Sequence, residues 1–179
     1  SPTHASTSTG GGGGGGGSSF SGGAGTVSPG TDTPGYVSKF TDMENYAWAK
    51  EAVDYLAKNG AISGRTETEF APGEHIKREE FVKILAAAFK LPQSAGAEFS
   101  DVAPDSWYAP YVGAAYAAGV ASGMNDGSFG VGQYITRQDA AAMIARACAY
   151  TARVLTPQTP AFTDSADISE YAADAVGAL

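Results

Sequence analysis

From Trp48 onward apolar side chains return every three or four residues. Trp48, Ala52, Val53 and Leu56 stand at i, i+4, i+5 and i+8, the spacing of one apolar stripe on an amphipathic helix. The pattern predicts a helix over about 45–59, closed by Gly60 as a left-handed residue just past its end. The stretch 62–74 has no period and carries Gly64 and Pro72-Gly73, so the chain reverses there without regular structure. Phe81, Ile84, Leu85, Ala88 and Phe89 then predict a second helix over about 77–90, with Leu91-Pro92 at its close because proline cannot continue a helical ladder.

The same pattern returns 59 residues later without a gap. The shift lays Phe40 on Phe99, Trp48 on Trp107, Val53 on Val112, Gly60 on Gly119, Gly64 on Gly123, Phe70 on Phe129, Ile76 on Ile135 and Arg78 on Arg137. In this second copy Trp107, Tyr111, Val112, Ala115 and Tyr116 form the first stripe, and Met143, Ile144, Ala147 and Cys148 the second. Ala140 and Ala141 replace Phe81 and Val82, which suits a helix closely surrounded by others. Phe162-Thr163-Asp164 opens a third copy, with Ile168, Tyr171, Ala175 and Val176 on its stripe. Two helices cannot cover their own apolar faces, so such units stack. The expected fold is mainly α, tandem helix-loop-helix repeats divided as 40–98, 99–161 and the start of a third at 162–179. That last face lacks its further neighbours, which predicts a marginally stable or self-associating chain.

Residues 1–39 stand apart. Eight successive glycines, Gly10 to Gly17, among Ser, Thr and Pro cannot bury enough apolar surface to offset chain entropy, and predict a flexible linker to something before it. The net charge of −8 argues against general nucleic-acid binding, which needs a basic face. No apolar run is long enough to span a membrane, and no signal peptide opens the chain. Cys148 stands alone, which excludes an internal disulfide and a cysteine metal cluster; an apolar core position is the reading for it. His75 lacks a second ligand nearby and His4 lies in the linker, so neither predicts a metal site or a general base, and no cofactor is implied. Asn125-Asp126-Gly127 follows Met124 without a closing Glu, the mark of a tight turn and not of a calcium loop. Glu44, Glu51, Glu74, Glu79 and Glu80 have no matching acid set in the second copy, which argues against a glycosidase pair and against catalysis.

Ile76-Lys77-Arg78-Glu79-Glu80 and Ile135-Thr136-Arg137-Gln138-Asp139 resemble the signature of the S-layer homology domain. So do the Phe-x-Asp openings, the Trp eight residues after that Phe, and the Gly-x-x-x-Gly followed by a Phe. The resemblance covers 40–179. It implies a pseudo-threefold helical assembly, truncated here, that anchors extracellular proteins non-catalytically to polysaccharide attached to peptidoglycan in the bacterial cell wall or S-layer. Such glycans often bear ketal-linked pyruvate. It also leaves a second class open: a protein-protein assembly module whose repeats associate with one another in a surface lattice.

Several residues carry two readings each. Arg78 and Arg137 open helices, where a guanidinium beside free N–H groups suits a carboxylate; with the resemblance they become candidate glycan ligands, or else they pair with a neighbouring repeat and lock the array. Thr136 and Asp139 have the spacing of a capping box. Lys77 replaces that Thr in the first copy, adding either a second cation to an anion site or a solvated substitution that weakens the helix start. Trp48 and Trp107 are candidate sugar platforms, although their place on the stripe points to the core. Asp42 and Asp101 are candidate ligands whose blander role is a turn or cap, and Asp164 repeats them. Gly64 and Gly123 either admit a glycan close to the backbone or serve a turn with positive φ.

Overall fold

A computed structural model of the chain describes residues 38–94, 99–159 and 162–179; the linker expected over 1–39 lies outside them, save for its last two residues. Five α-helices follow in order: α1 (Ala47–Lys58), α2 (Arg78–Ala88), α3 (Ala109–Ala117), α4 (Arg137–Tyr150) and α5 (Glu170–Ala178), with single 3-10 turns at Glu44–Tyr46 and Ser165–Asp167. Among the described residues there is no strand, only an isolated antiparallel bridge between Lys77 and Tyr134. The expected mainly helical fold is the one observed. α2 packs on α3, and α4 on both α2 and α5.

Helix ends follow local chemistry. Past α1, Gly60 takes φ +73 and Ala61 N–H donates back to Leu56 O at 2.9 Å, a left-handed close that suits a residue without Cβ. Gly119 repeats it after α3 with φ +68. After α2 the left-handed position falls instead on Lys90, φ 53, and Leu91 N–H reaches Ala86 O at 2.9 Å. The helix is therefore already closed before Pro92. At the start of α4 the Thr136 hydroxyl accepts from Asp139 N–H at 3.2 Å and donates to Oδ2 of Asp139 at 2.8 Å, as its spacing foretells. α2 keeps half of that arrangement: Glu80 Oε2 accepts from Lys77 N–H at 2.9 Å, while the Lys77 ammonium has no acceptor to offer.

The larger core joins Val82, Leu85 and Ala86 of α2, Val112 and Ala115 of α3, Met143 and Ala147 of α4, and Phe129 from the loop between α3 and α4. A smaller cluster gathers Phe40, Met43, Val53 and Ile62. Cys148 is buried and unpaired. The tryptophans correct their expected core placement. Trp48 is 85% exposed and Trp107 53%. On α1 the inward face runs through Ala49, Val53, Leu56 and Ala57, rotated by about 100° from one that would hold Trp48. In the second copy Pro110 sits near the start of α3, so the helix begins two residues after Trp107, which projects from the preceding turn. Tyr116 is also exposed, at 49%.

On α5, Ala172 and Ala175 are the buried residues; Tyr171 is exposed but donates its hydroxyl to Asp139 Oδ1 at 2.8 Å. The segment leading to α5 passes so close that Gln158 N–H donates to Gly177 O at 3.0 Å, leaving no room for a side chain at Gly177.

Candidate functional site

Each long loop is closed by a carboxylate placed near its far end. Asp42 accepts from Phe70 N–H at 3.0 Å and from Ala71 N–H at 2.7 Å; Asp101 accepts from Phe129, Gly130 and Val131 N–H at 2.6, 2.8 and 2.7 Å. These donors hold the Asp42 carboxyl below its usual range. For Asp101 burial pushes upward, and the three amides together outweigh it. Both aspartates thus spend oxygens on backbone 28–30 residues away, which makes them loop clamps. A Cβ on Gly64 would stand 2.5 Å from the Phe40 ring and 2.7 Å from Glu69 O, and one on Gly123 would collide with the Phe99 ring and Ser128 O. Gly64 has φ +84. The rings that open each repeat are therefore what require these glycines. Asp126 closes the tight turn expected at 125–127, accepting from the Ser128 hydroxyl at 2.7 Å and its N–H at 2.9 Å.

Where the two copies meet, the segment before α2 pairs with the segment before α4. Arg78 N–H donates to Gln133 O at 2.9 Å and Ile135 N–H to Ile76 O at 3.1 Å. This register drives Arg78 inward, to 6% exposure. Its guanidinium donates to Ser122 O at 3.1 Å, lies 5.2 Å from the Phe129 ring centroid and 3.7 Å from Asp139 Oδ2. Nε finds no acceptor. Burial lowers the Arg78 pKa, with Asp139 pulling the other way. Arg78 thus joins the start of α2 to the loop of the second copy. Glu79 is buried beside it and accepts from Gly132 N–H at 3.0 Å. Arg137, at the equivalent place, is exposed. Asp139 ties three segments together through Arg78, Thr136 and Tyr171, and burial together with its bond to Asp139 raises the Tyr171 pKa.

Open surface chemistry gathers elsewhere. A groove of about 500 Å³ runs between the first loop and the turn before α3, lined by Ser63, Gly64, Arg65, Phe70, Glu74, Glu80, Lys83, Ile84 and Trp107 among others. Beside it a cavity of about 460 Å³ is lined by Arg65, Gly73, Glu74, His75, Lys77 and Tyr134. Arg65 divides the two, pairing with Glu80 at 2.8 Å and Glu74 at 3.4 Å. For Glu80, burial pushes its pKa up, but the Lys77 amide and Arg65 bring it below the usual value. The groove thus holds Trp107 and Gly64 from the sequence candidates, and the adjoining cavity holds Lys77. Trp48, Arg78, Arg137, Asp42, Asp101 and Gly123 line neither.

Arg65, Lys83 and Tyr134 are residues that repeat reasoning overlooked, and His75 was weighed there only as a metal ligand or general base. The signal was present as a difference between copies: 59 residues on, Arg65, His75, Lys77 and Lys83 become Met124, Tyr134, Thr136 and Ala142. Among the described residues no cluster of His, Cys, Asp and Glu is arranged to hold a metal, and no helix is long and apolar enough to cross a membrane.

Two helix-loop-helix copies, locked by an arginine and flanked by an open groove with an exposed aromatic at its rim, define a tandem-repeat interaction module. Residues 39–82 and 98–141 match the S-layer homology domain, and the chain belongs to that family of cell-surface anchoring modules. An endoglucanase from Bacillus sp. (strain KSM-635) is 29% identical over 139 residues, 76% of this chain and 15% of that protein. An amylopullulanase from Thermoanaerobacterium thermosulfurigenes is 30% identical over 145 residues, 79% of this chain and 8% of that protein. The S-layer protein sap of Bacillus anthracis is 31% identical over 106 residues, 58% of this chain and 12% of that protein. The chain therefore spans a small fraction of these relatives, and the two enzymatic names describe much longer proteins.

Proposed function

We propose that this chain tethers a surface protein to the bacterial envelope by holding a polysaccharide attached to peptidoglycan in the groove between the first loop and Trp107. One observation carries the reading: a half-exposed indole stands over a groove that also presents Arg65 and Lys83, in a chain of net charge −8. The indole offers an apolar face to the C–H side of a sugar ring. Arg65 is paired with Glu80 and Glu74 in the same groove, so Lys83 is the cation that meets an acidic group, such as a pyruvate ketal, on the polymer. The division into repeats 40–98 and 99–161, with 162–179 opening a third, belongs to this reading, as does the absence of catalysis in these residues. Relatives named as S-layer proteins and as polysaccharide-degrading enzymes support a shared anchoring role beside unlike partners in the chain.

The test is co-sedimentation of the full chain with Gram-positive sacculi before and after extraction of wall polysaccharide. Binding that disappears on extraction and falls about tenfold with Trp107→Ala, the loss of some 1.4 kcal/mol of stacking, supports anchoring. Binding indifferent to both refutes it. Assembly in a surface lattice is favoured by a different feature, Trp48 and Tyr55 exposed by 85% and 64% on one side of α1. That reading requires concentration-dependent association with no wall present, reduced by Trp48→Ala and unaffected by Trp107→Ala.

A further inference from the structure

We propose that the peptide bond between Arg153 and Val154 is a processing site for an arginine-specific endopeptidase, and that cutting it detaches the third unit from the first two. The inference does not depend on what the groove holds.

The chain leaves α4 through a tight close. Thr151 Oγ1 donates to Ala147 O and Cys148 O, each at 3.1 Å, and Arg153 N–H donates to Cys148 O at 2.8 Å. Ala152 takes φ 56 to make that close, a left-handed conformation that a Cβ disfavours, so peeling the segment away relieves strain. Beyond it backbone support stops. Among the described residues no hydrogen bond holds the backbone of Val154, Leu155 or Thr156, and the next is that of Gln158 N–H to Gly177 O. Val154 is 92% exposed, and no carboxylate among the described residues lies within ion-pair distance of Arg153. Exposed backbone without internal partners is where nicking concentrates. Such a segment can add to an endopeptidase as an extra strand, while a free guanidinium enters a pocket built around a carboxylate.

No other basic residue is presented in this way. Lys50, Lys58, Arg78, Lys83, Arg137 and Arg146 lie within helices. Lys39 precedes buried Phe40, Lys77 precedes buried Arg78, and Lys90 precedes buried Leu91; Arg65 is held by Glu80 and by its own N–H to Glu69 O at 2.8 Å. Hydrolysis at Arg153 consumes one water: its oxygen joins the Arg153 carbonyl carbon, the C–N bond breaks, and the protons leave Arg153 a carboxylate and Val154 an ammonium. The larger core is drawn from residues 81–147 and survives the cut. What holds the third unit to α4 is slight by comparison. Ser169 N–H donates to Gln138 Oε1 at 2.9 Å, Tyr171 donates to Asp139, and Ala172 and Ala175 are its buried side chains. Once the covalent tie is gone, those contacts must order a free peptide, and its lost chain and overall freedom outweighs them.

Trypsin tests this without bias, because it accepts either basic side chain and so samples all 11 Lys and Arg of the chain. The full chain is digested under native conditions and the fragments are weighed by mass spectrometry. The first products should be 1–153 and 154–179, formed at least about tenfold faster than any other pair, at a rate unchanged by about 1 M urea because only a local opening is needed. Arg153→Gln should remove these early products, and Arg153→Lys should restore them with trypsin but not with an arginine-specific endopeptidase. Gel filtration of the cut protein at micromolar concentration should separate 154–179 from 1–153. A first cut elsewhere, or a rate that climbs with urea in step with global unfolding, would overturn the processing site. Co-elution of the two fragments would overturn the detachment.

Discussion

Replacing Asp101 by Ala should be among the most damaging single changes in the chain. Its carboxylate receives N–H bonds of 2.6, 2.8 and 2.7 Å from three successive residues, and one of those residues, Phe129, is fully buried at the centre of the larger core. Hydrogen bonds to a charged group contribute about 1.5–3 kcal/mol each. The site is only half-buried and water can reach part of it, so the sum is reduced to about 3–4 kcal/mol. With a urea slope of about 2 kcal/mol per molar, the midpoint followed by circular dichroism should fall by about 1.5–2 M. Asp101→Asn keeps one acceptor oxygen and should recover roughly half. Because the folded carboxyl titrates below its ordinary value of about 3.9, its contribution is complete above that pH and disappears as pH falls through the lower, folded value. The gap between wild type and Asp101→Ala should therefore hold at pH 7 and begin to narrow as pH falls below about 4, continuing through the lower folded value. A loss under about 1 kcal/mol, or a gap unchanged in acid, would refute the clamp.

Other outcomes follow from single contacts. Gly123→Ala should cost about 2 kcal/mol or more in a urea melt, because its Cβ would overlap the Phe99 ring and Ser128 O. Lys90→Gly should stabilise by about 1 kcal/mol in the same assay, since Lys90 occupies the left-handed position after α2 at φ 53. Arg78→Ala should lower stability by about 2–3 kcal/mol through its charged bond to Ser122 O and its buried stem, whereas the exposed Arg137→Ala should be within about 0.5 kcal/mol of wild type. A sacculus-binding assay that uses Arg78→Ala would read folding before it read recognition.

Much of the fold was legible because it depends on neighbours in sequence. The helix periods, the Gly60 close and the Thr136 cap are each decided within four residues. The errors arose where a distant segment decides. Trp48 fitted the stripe as well as Ala49 did, since three turns of helix with small residues on two sides leave the inward direction open until the packing of Phe40, Met43 and Ile62 fixes it. Asp42 and Asp101 read as local turn residues, yet their partners lie at 70–71 and 129–131. The identical separation in both copies was the available clue. For the candidate site the search for shared positions pointed away from it, because the cations at 65, 77 and 83 are what the copies do not share.

Arg78 and Arg137 show why that distinction matters. They hold the same place in the same motif, at the first residue of a second helix, and sequence gives no reason to separate them. The environment does. Arg78 meets the loop of the following copy, which supplies Ser122 O, the Phe129 ring and, through Gly130, a backbone with no side chain to obstruct its stem; a Cβ on Gly130 would stand 3.3 Å from Arg78 Cδ. That position in the first copy is Ala71, which adopts φ 60 despite its side chain, beside the groove and not beneath an arginine. Shared residues thus hold one copy against the next, and a motif arginine is consumed wherever a following loop covers it. On the proposed reading recognition rests on residues that differ between the copies, Arg65 and Lys83 in the groove and Lys77 in the adjoining cavity.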